Sequence, residues 1–252
     1  MPLPVITQAD VEKALRELGI RTGDGLLVHA ALQLLGQPVG GPEIYLHGIQ
    51  AVIGPEGTLV VPTFNFGFAR GEDYDPASTP SQGMGVFAEW VRRQPGARRT
   101  THPMQSLAAL GARAEELAGL DTPSAFDEGS AFHRMLDHDF KLLLLGADVE
   151  AVSILHVSEQ RANVPYRYWK EFSGRVLRGG EWQARTYRMF VRDEKINPKL
   201  VAKPIQVELA RRGQWHAVKV NFGVIAACTL RDYVAATDAL LAKDPWAFVV
   251  NR

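Results

Sequence analysis

A histidine and a glutamate stand three residues apart in "SILHVSEQ" at 153–160, directly after the apolar run "FKLLLLGA". In an α-helix, which turns every 3.6 residues, His156 and Glu159 would lie on one face. A histidine beside a carboxylate is how many proteins present a base near neutral pH, because the carboxylate fixes the ring and stabilises its charged form. A histidine at the edge of the core beside a solvated glutamate produces the same spacing. The octapeptide alone leaves both interpretations open.

Several better-known signatures are missing or stand in the wrong context. "GMGVFA" at 83–88 matches a dinucleotide-binding pattern in its letters, yet a loop containing Pro and Ser precedes it, where a strand is required. The chain has no P-loop lysine motif and no G-x-S-x-G segment. Zinc would need more His or Cys ligands at regular spacing than "SILHVSEQ" supplies, so we expect no metal.

Arginines crowd the segment "RRQPGARRTTHP" at 92–103, with four of them within eight residues. They could solvate the end of a helix, where the dipole favours cations. They could equally bind an anion, because a guanidinium holds two phosphate oxygens at once. The loop that follows His29 leads into a helix whose free N–H groups would also suit an anion. The sequence therefore suggests one phosphate-bearing ligand that touches both places.

Composition excludes several classes of partner. The chain has 252 residues, and its 28 Lys and Arg balance its 28 Asp and Glu, so no excess charge attracts nucleic acid or an anionic membrane. No apolar stretch is long enough for a membrane span, and "MPLPVITQAD" lacks the features of a secretory signal. The single cysteine, Cys228 in "VIAACTL", fits a buried core position in a reducing compartment. We expect a cytoplasmic protein.

Apolar strands alternate with amphipathic helices through the first two thirds of the chain. The predicted strands are "GLLVHA", "GTLVVPTF", "SLAALG" and "FKLLLLG". Strands that are apolar throughout need a sheet covered on both faces, so we expect an α/β/α body with a mixed sheet. Further along, Gly179-Gly180 between two strand-like segments predicts a hairpin, followed by two helices. We predict one domain over 1–252, with the body at about 1–165 and a smaller β-containing addition at about 166–252.

Six collinear blocks between about residues 8 and 175 resemble the aminoglycoside 3-N-acetyltransferases, also called the antibiotic N-acetyltransferase family. The blocks are "LLVHAALQLLGQPVGG", "GTLVVPTF", "DPASTPSQGMGVFAEWVRR", "PGARRTTHPMQSLAALG", "LLLLGA" and "SILHVSE". The resemblance implies transfer of an acetyl group from acetyl-coenzyme A to a primary amine. It also implies a fold distinct from that of the GNAT acetyltransferases, whose phosphate-loop pattern is absent from this sequence.

The resemblance assigns roles to individual residues. His156 corresponds to the catalytic base, and Glu89 to a glutamate that we expect to orient that base or stabilise its charge. Glu159 is a further catalytic candidate, as a holder of His156 or an anchor for the substrate ammonium. A supporting role for His102 and the identity of the oxyanion donor, either a backbone N–H or Thr100, stay open. Coenzyme A is expected to contact His29, Ala30, Ala31, Arg98, Arg99, Thr100 and Ser106.

The sequence determines the identity of the amine acceptor less well than that of the base or the cofactor. Antibiotic-modifying members typically carry H-S-S or H-A-S where this chain has His29-Ala30-Ala31. Aminoglycosides are polycations, whereas "NVPYRYWKEFSG" after the catalytic block is aromatic and basic, which suits a sugar bearing a phosphate or nucleotide. The acceptor is therefore an aminoglycoside or a nucleotide-linked amino sugar of surface-polysaccharide synthesis. A non-catalytic coenzyme-A-binding relative, a thioester hydrolase and a homodimer all remain open, while no nucleic-acid or membrane partner is expected.

Overall fold

Eleven strands and eight α-helices build the part of the chain that the computed structural model describes, residues 4–251. The strands are β1 (Val5–Ile6), β2 (Gly25–Ala30), β3 (Gln37–Pro38), β4 (Thr58–Pro62), β5 (Arg98–Arg99), β6 (Leu107–Gly111), β7 (Lys141–Leu145), β8 (Arg167–Arg178), β9 (Glu181–Arg192), β10 (His216–Val220) and β11 (Gly223–Thr229). The helices are α1 (Gln8–Glu17), α2 (Glu43–Ile53), α3 (Gly85–Arg92), α4 (Ala114–Ala118), α5 (Ala131–Asp137), α6 (Leu155–Arg161), α7 (Lys203–Arg211) and α8 (Leu230–Lys243). None of these helices is long and apolar enough to cross a membrane.

A seven-stranded mixed sheet forms the centre, in the order β10-β11-β7-β2-β4-β6-β5. The strand β2 runs parallel to both of its neighbours, β4 and β7. All other pairs in this sheet are antiparallel. Nearly every residue of β2, β4 and β7 is buried, which explains why these strands read as continuous apolar runs in the sequence.

Helices cover both faces of the sheet, because successive side chains of a strand point to opposite sides. Leu26 and Leu143 pack in a cluster with residues of α1, α2 and α3. Leu27 and Leu142 pack in a second cluster with residues of α4 to α8. The predicted α/β/α architecture is confirmed.

The division predicted at about residue 165 does not match the structure. Although β10 and β11 lie late in the chain, they belong to the main sheet, where β11 pairs with β7. In β11, Ile225 contributes to one cluster and Cys228 to the other, so this strand is covered on both faces. Cys228 is buried, as predicted, and burial raises the pKa of its thiol. Of the strands in the predicted addition, only β8 and β9 lie outside the main sheet.

The β8–β9 hairpin pairs twelve residues of each strand without interruption. Gly179 and Gly180 both adopt a positive φ at its turn, which glycine tolerates without a steric penalty, and the hairpin prediction is confirmed. Val176 and Tyr187 anchor the hairpin to the body through a small cluster that includes Phe68 and Tyr74. At the other end, the first residues of β8 reach the segment that carries "SILHVSEQ", described next.

Candidate active site

His156 and Glu159 lie on one face of α6 and form a direct contact. The imidazole Nδ1 lies 2.6 Å from the Glu159 Oε2. The Glu159 side chain is fully buried, whereas 27% of the His156 side chain stays exposed. The helix begins immediately before this pair, where the His156 N–H donates to the Ser153 carbonyl at 3.1 Å. The predicted helical pairing of the two residues is therefore present.

Two residues of the following segment hold the Glu159 carboxylate from the other side. The Tyr166 hydroxyl donates to Glu159 Oε1 at 2.9 Å. The Arg167 Nε lies 2.9 Å from Glu159 Oε2, while Arg167 also donates to the Phe190 carbonyl at 3.0 Å. Burial by itself would raise the pKa of Glu159, but His156, Arg167 and Tyr166 together lower that pKa to about 2. The carboxylate is therefore ionised at neutral pH.

The ionised carboxylate fixes the state of the histidine. Because a carboxylate can only accept hydrogen bonds, Nδ1 of His156 carries the proton, and the neutral ring keeps a lone pair on Nε2. Close packing around the ring lowers the pKa of His156 below its ordinary value; Glu159 opposes this shift, and the charges of Arg167 and Arg192 add to it. Phe126 contacts the ring edge-to-face at 5.3 Å between centroids. His156 is therefore a neutral ring, with one nitrogen available to accept a proton.

Glu89 does not make the contact that the sequence predicted. Its carboxylate accepts hydrogen bonds from Arg92 at 2.7 and 2.9 Å, from Arg93 at 2.8 Å and from the Ser81 backbone and hydroxyl at 3.0 and 2.8 Å. The hydrogen bonds from Arg92 are the main reason that the pKa of Glu89 lies well below its usual range. The expectation that Glu89 orients His156 is wrong as a contact, because Glu159 occupies that position.

All four arginines of the cluster form hydrogen bonds or ion pairs with other groups of the protein. Arg92 and Arg93 bind Glu89 as described, and the exposed Arg98 donates to Glu115 at 2.8 Å. Arg99 is buried, and its guanidinium donates to the Thr63 and Thr79 carbonyls as well as to the Thr63 and Ser106 hydroxyls. The anion-site interpretation of this cluster fails for Arg99, since its donors already have partners.

Thr100 and Ser106 also have their polar groups occupied. The Thr100 N–H donates to the Leu107 carbonyl at 2.9 Å, and its hydroxyl accepts from the Leu107 N–H at 2.8 Å. The Ser106 hydroxyl donates to the Thr63 carbonyl at 2.8 Å. Both residues are buried. The Thr100 N–H is already paired, so of this residue only the hydroxyl proton remains a candidate oxyanion donor.

His102 is buried next to the hairpin. Its Nδ1 accepts a hydrogen bond from the Gln105 N–H at 3.2 Å, and its ring packs edge-on against Tyr187 at 4.9 Å between centroids. Burial is the main cause that lowers the pKa of His102 to about 4. His102 is therefore neutral at pH 7 and contributes to packing.

A cavity of about 430 Å³ opens at the end of β2. His29, Ala30 and Ala31 line it together with mostly small residues, so the backbone is accessible to a ligand: Val28, Gln33, Pro62, Gly83, Met84, Gly85, Phe87, Ala88 and Ala151. The His29 Nε2 lies 3.5 Å from the Ser153 hydroxyl, at the turn that starts α6, so the cavity and the His156 helix meet at Ser153. Burial lowers the pKa of His29 to about 4, which keeps this ring neutral.

A second cavity, of about 490 Å³, adjoins the first along Gly83, Met84 and Gly85. Glu89, Trp90 and Arg93 line the part that the first cavity does not share.

No group of three or more His, Cys, Asp or Glu side chains placed to hold a metal ion occurs within residues 4–251.

Comparisons of sequence and of structure with known proteins point to one family. A family model described as aminoglycoside 3-N-acetyltransferase matches residues 27–242. Aminoglycoside N(3)-acetyltransferase III of Salmonella sp. is 34% identical over 196 residues, which cover 69% of this chain and 68% of that protein. AAC-IIIb in a binary complex with CoASH has a TM-score of 0.84 at 22% identity, covering 99% of this chain and 100% of that one. A histidine-to-alanine mutant of aminoglycoside acetyltransferase AAC(3)-IVa, in complex with a gentamicin, has a TM-score of 0.80 at 26% identity, covering 98% and 93%.

The fold is therefore that of the aminoglycoside acetyltransferases, an acyltransferase class. The chain belongs to the aminoglycoside 3-N-acetyltransferase family. The resemblance drawn from the six sequence blocks is confirmed, as is the expectation of a fold distinct from that of the GNAT enzymes.

Sequence reasoning missed three side chains that shape the site. Tyr166 and Arg167 fall in "NVPYRYWK", a segment whose charge and aromaticity stand out but assign no partner to either residue. Phe126 lies 30 residues before His156, in a loop with no distinctive pattern. The only available signal was position: two hydrogen-bonding residues follow Glu159 closely enough to fold back onto its carboxylate.

Replacement by Met should lower the stability of the protein at Arg99 but not at Arg98. Arg99→Met leaves the Thr79 carbonyl without its donor, while Ser106 still donates to the Thr63 carbonyl, so the free energy of unfolding should fall by about 1–3 kcal/mol. Arg98→Met, the matched control, should leave stability within about 0.5 kcal/mol and leave coenzyme A affinity unchanged. Chemical denaturation and calorimetry measure both quantities. A tenfold weaker affinity in a stable Arg98→Met variant would restore the anion-site interpretation.

Replacing Glu159 by Gln should change both stability and pH dependence. The variant leaves buried Arg167 without its anion, so the free energy of unfolding should fall by about 3–5 kcal/mol. Because Glu159 raises the pKa of His156, its removal should move the acid limb of the kcat/KM profile to lower pH. Tyr166→Phe is the matched control, since it removes one hydrogen bond to the carboxylate and keeps the charge. An acid limb at the same pH in Glu159→Gln and wild type would contradict the assigned coupling.

Proposed function

We propose that this chain transfers the acetyl group of acetyl-coenzyme A to a primary amine of an amino sugar, the type of reaction for which its family is named. The observation that carries the proposal is the 2.6 Å contact between the buried, ionised Glu159 and Nδ1 of His156. This contact leaves Nε2 of a partly exposed, neutral ring as a proton acceptor. An alkyl amine is mostly protonated at pH 7, so the reaction needs such a base.

His156 is the proposed base, and Glu159 is its positioning residue. The ammonium first gives up one proton to solvent. As the resulting amine nitrogen bonds to the thioester carbonyl carbon, Nε2 takes the further proton that the nitrogen must lose. The bond between carbon and sulfur then breaks, and the same proton can pass to the departing thiolate, so the ring returns to its neutral state. Glu159 stabilises the imidazolium in between, while Tyr166 and Arg167 keep the carboxylate in place. Glu89 takes no part in this scheme.

Coenzyme A is proposed to lie in the cavity at the end of β2. Support comes from the small side chains of Ala30 and Ala31, from the glycines that face them, and from the connection of His29 through Ser153 to the His156 helix. These features suit a long, thin arm that ends in a thioester near the base. Of the residues predicted to contact the cofactor, His29, Ala30 and Ala31 remain in the proposal. Arg98, Arg99, Thr100 and Ser106 leave it, because their polar groups already have partners in the protein or lie in an exposed ion pair.

Two classes of acceptor are worth testing. Aminoglycosides are supported by the Salmonella relative and by the gentamicin complex of a structural neighbour. Nucleotide-linked amino sugars are supported by the basic residues of the β8–β9 hairpin, which begins next to Glu159. The reacting amine and its base are the same in both cases.

The release of free thiol from acetyl-coenzyme A, with and without each amine, tests the proposal. We expect amine-dependent release that falls by about 10²–10⁴ in His156→Ala, the usual contribution of a positioned base. The loss should shrink as pH rises, because more of the amine then arrives deprotonated. His216→Ala, an exposed histidine on the edge strand β10, is the matched control. Release without an amine would indicate a hydrolase, and no release would indicate a non-catalytic coenzyme A binder.

A further inference from the structure

The β8–β9 hairpin is strongly basic in a chain whose overall charge is zero. It carries two acidic residues, Glu171 and Glu181, against seven basic ones: Arg167, Lys170, Arg175, Arg178, Arg185, Arg188 and Arg192. Carboxylates outside the hairpin bind four of these arginines, in the pairs Arg167–Glu159, Arg175–Asp73, Arg178–Asp121 and Arg188–Asp127. Acidic residues of the body thus anchor the hairpin. A hairpin arginine without such a partner is a candidate for binding a ligand.

Arg192 is the arginine without a partner that lies closest to the chemistry. It stands directly opposite Arg167 in the hairpin register, so the two side chains share one face. Arg167 reaches Glu159 from this face. None of the ion pairs formed within residues 4–251 includes Arg192, although Arg192 interacts electrostatically with Glu159 and with His156. Like charges directly opposite on paired strands destabilise a hairpin, so this position keeps a cation at a cost.

An aromatic surface adjoins Arg192 on the same hairpin face. The next pair on this face is Trp169 and Phe190, whose ring centroids lie 5.1 Å apart. The Arg188 guanidinium stacks over the Trp169 ring at 4.4 Å, and Trp169 remains 38% exposed. A flat, partly exposed aromatic ring is a surface on which a sugar or a base can stack. The cation and the stacking surface therefore lie side by side on the hairpin face from which Arg167 reaches Glu159.

We propose that Arg192 binds a phosphate carried by the acceptor, so that the preferred substrate is a phosphate-bearing amino sugar, either a sugar phosphate or a nucleotide-linked sugar. This inference rests on the proposed acetyl transfer and names its substrate class. The phosphates of coenzyme A are the wrong source, because the pantetheine arm holds them far from the thioester that reacts at His156. A guanidinium matches phosphate in charge and geometry, and it repels a polycation.

Calorimetry on the coenzyme-A-saturated enzyme tests the proposal, because the bound cofactor blocks its own phosphate site. The probes are glucosamine, glucosamine 1-phosphate, a uridine-diphosphate-linked amino sugar and kanamycin. We expect wild type to bind at least one phosphate-bearing sugar ten times or more tighter than glucosamine. Arg192→Gln should lose about tenfold to a hundredfold of that preference, and Arg192→Lys should lose less, since it keeps the charge. Arg185→Gln is the matched control, because Arg185 lies on the opposite face of the same strand and donates a hydrogen bond to Gln183.

Two results would overturn the inference. One is the absence of any phosphate preference in wild type, which includes undetectable binding of both phosphate-bearing probes. The other is an unchanged preference in a folded Arg192→Gln variant. Thiol release separates this failure from that of the proposed function: His156-dependent release with kanamycin and no phosphate preference would keep the acetyl transfer and reject the role of Arg192. If the phosphate preference depends equally on Arg185, the hairpin attracts anions without a specific site, and the inference fails as well.

Discussion

The ionised carboxylate of Glu159, fully buried yet bound by three side chains, is the interaction on which the rest of the site depends. A buried carboxylate without partners would cost several kcal/mol, or would take up a proton and lose its charge. Tyr166 and Arg167 prevent this, and the charge that they maintain determines which nitrogen of His156 carries the proton. His156 can therefore act as a base because Tyr166 and Arg167 keep the buried Glu159 carboxylate ionised. Neither Tyr166 nor Arg167 needs to touch the substrate.

The stretch from α6 to the start of β8 supplies these groups. The helix α6 starts at Ser153, which also contacts His29 at the end of the central strand β2, so the proposed cofactor cavity and the base share one turn. The hairpin β8–β9 follows within a few residues and returns Arg167 to Glu159 while it extends Arg192 and Trp169 toward solvent. One short stretch of chain thus joins the base, its carboxylate and the surface that we infer selects the acceptor.

Local sequence patterns were sufficient to predict most helices and strands, but not the hydrogen-bond partners of the buried polar side chains. The buried strands, the hairpin turn at Gly179-Gly180 and the helical pairing of His156 with Glu159 all follow from periodicity and glycine placement within a few residues. Arg99 could not be placed this way, because its partners depend on how distant loops meet in space. Glu89 is different, since Arg92 and Arg93 lie three and four residues further on and helical spacing alone pairs them with it. Thr63 and Thr79 satisfy Arg99 from 36 and 20 residues away. The strand β11 was missed for the same reason: its place beside β7 results from chain topology, while its short apolar run fits a strand or a buried helix equally well.

The protonation state of the His156 ring can be measured directly by ¹⁵N NMR of histidine-labelled protein, with His156→Gln used to assign the signal. We expect a neutral ring at pH 7 with the proton on Nδ1 and a bare Nε2, titrating below the ordinary histidine pKa of 6.5. A ring that is doubly protonated at pH 7, or that carries its single proton on Nε2, would contradict the role of Glu159 in holding His156 as a neutral base.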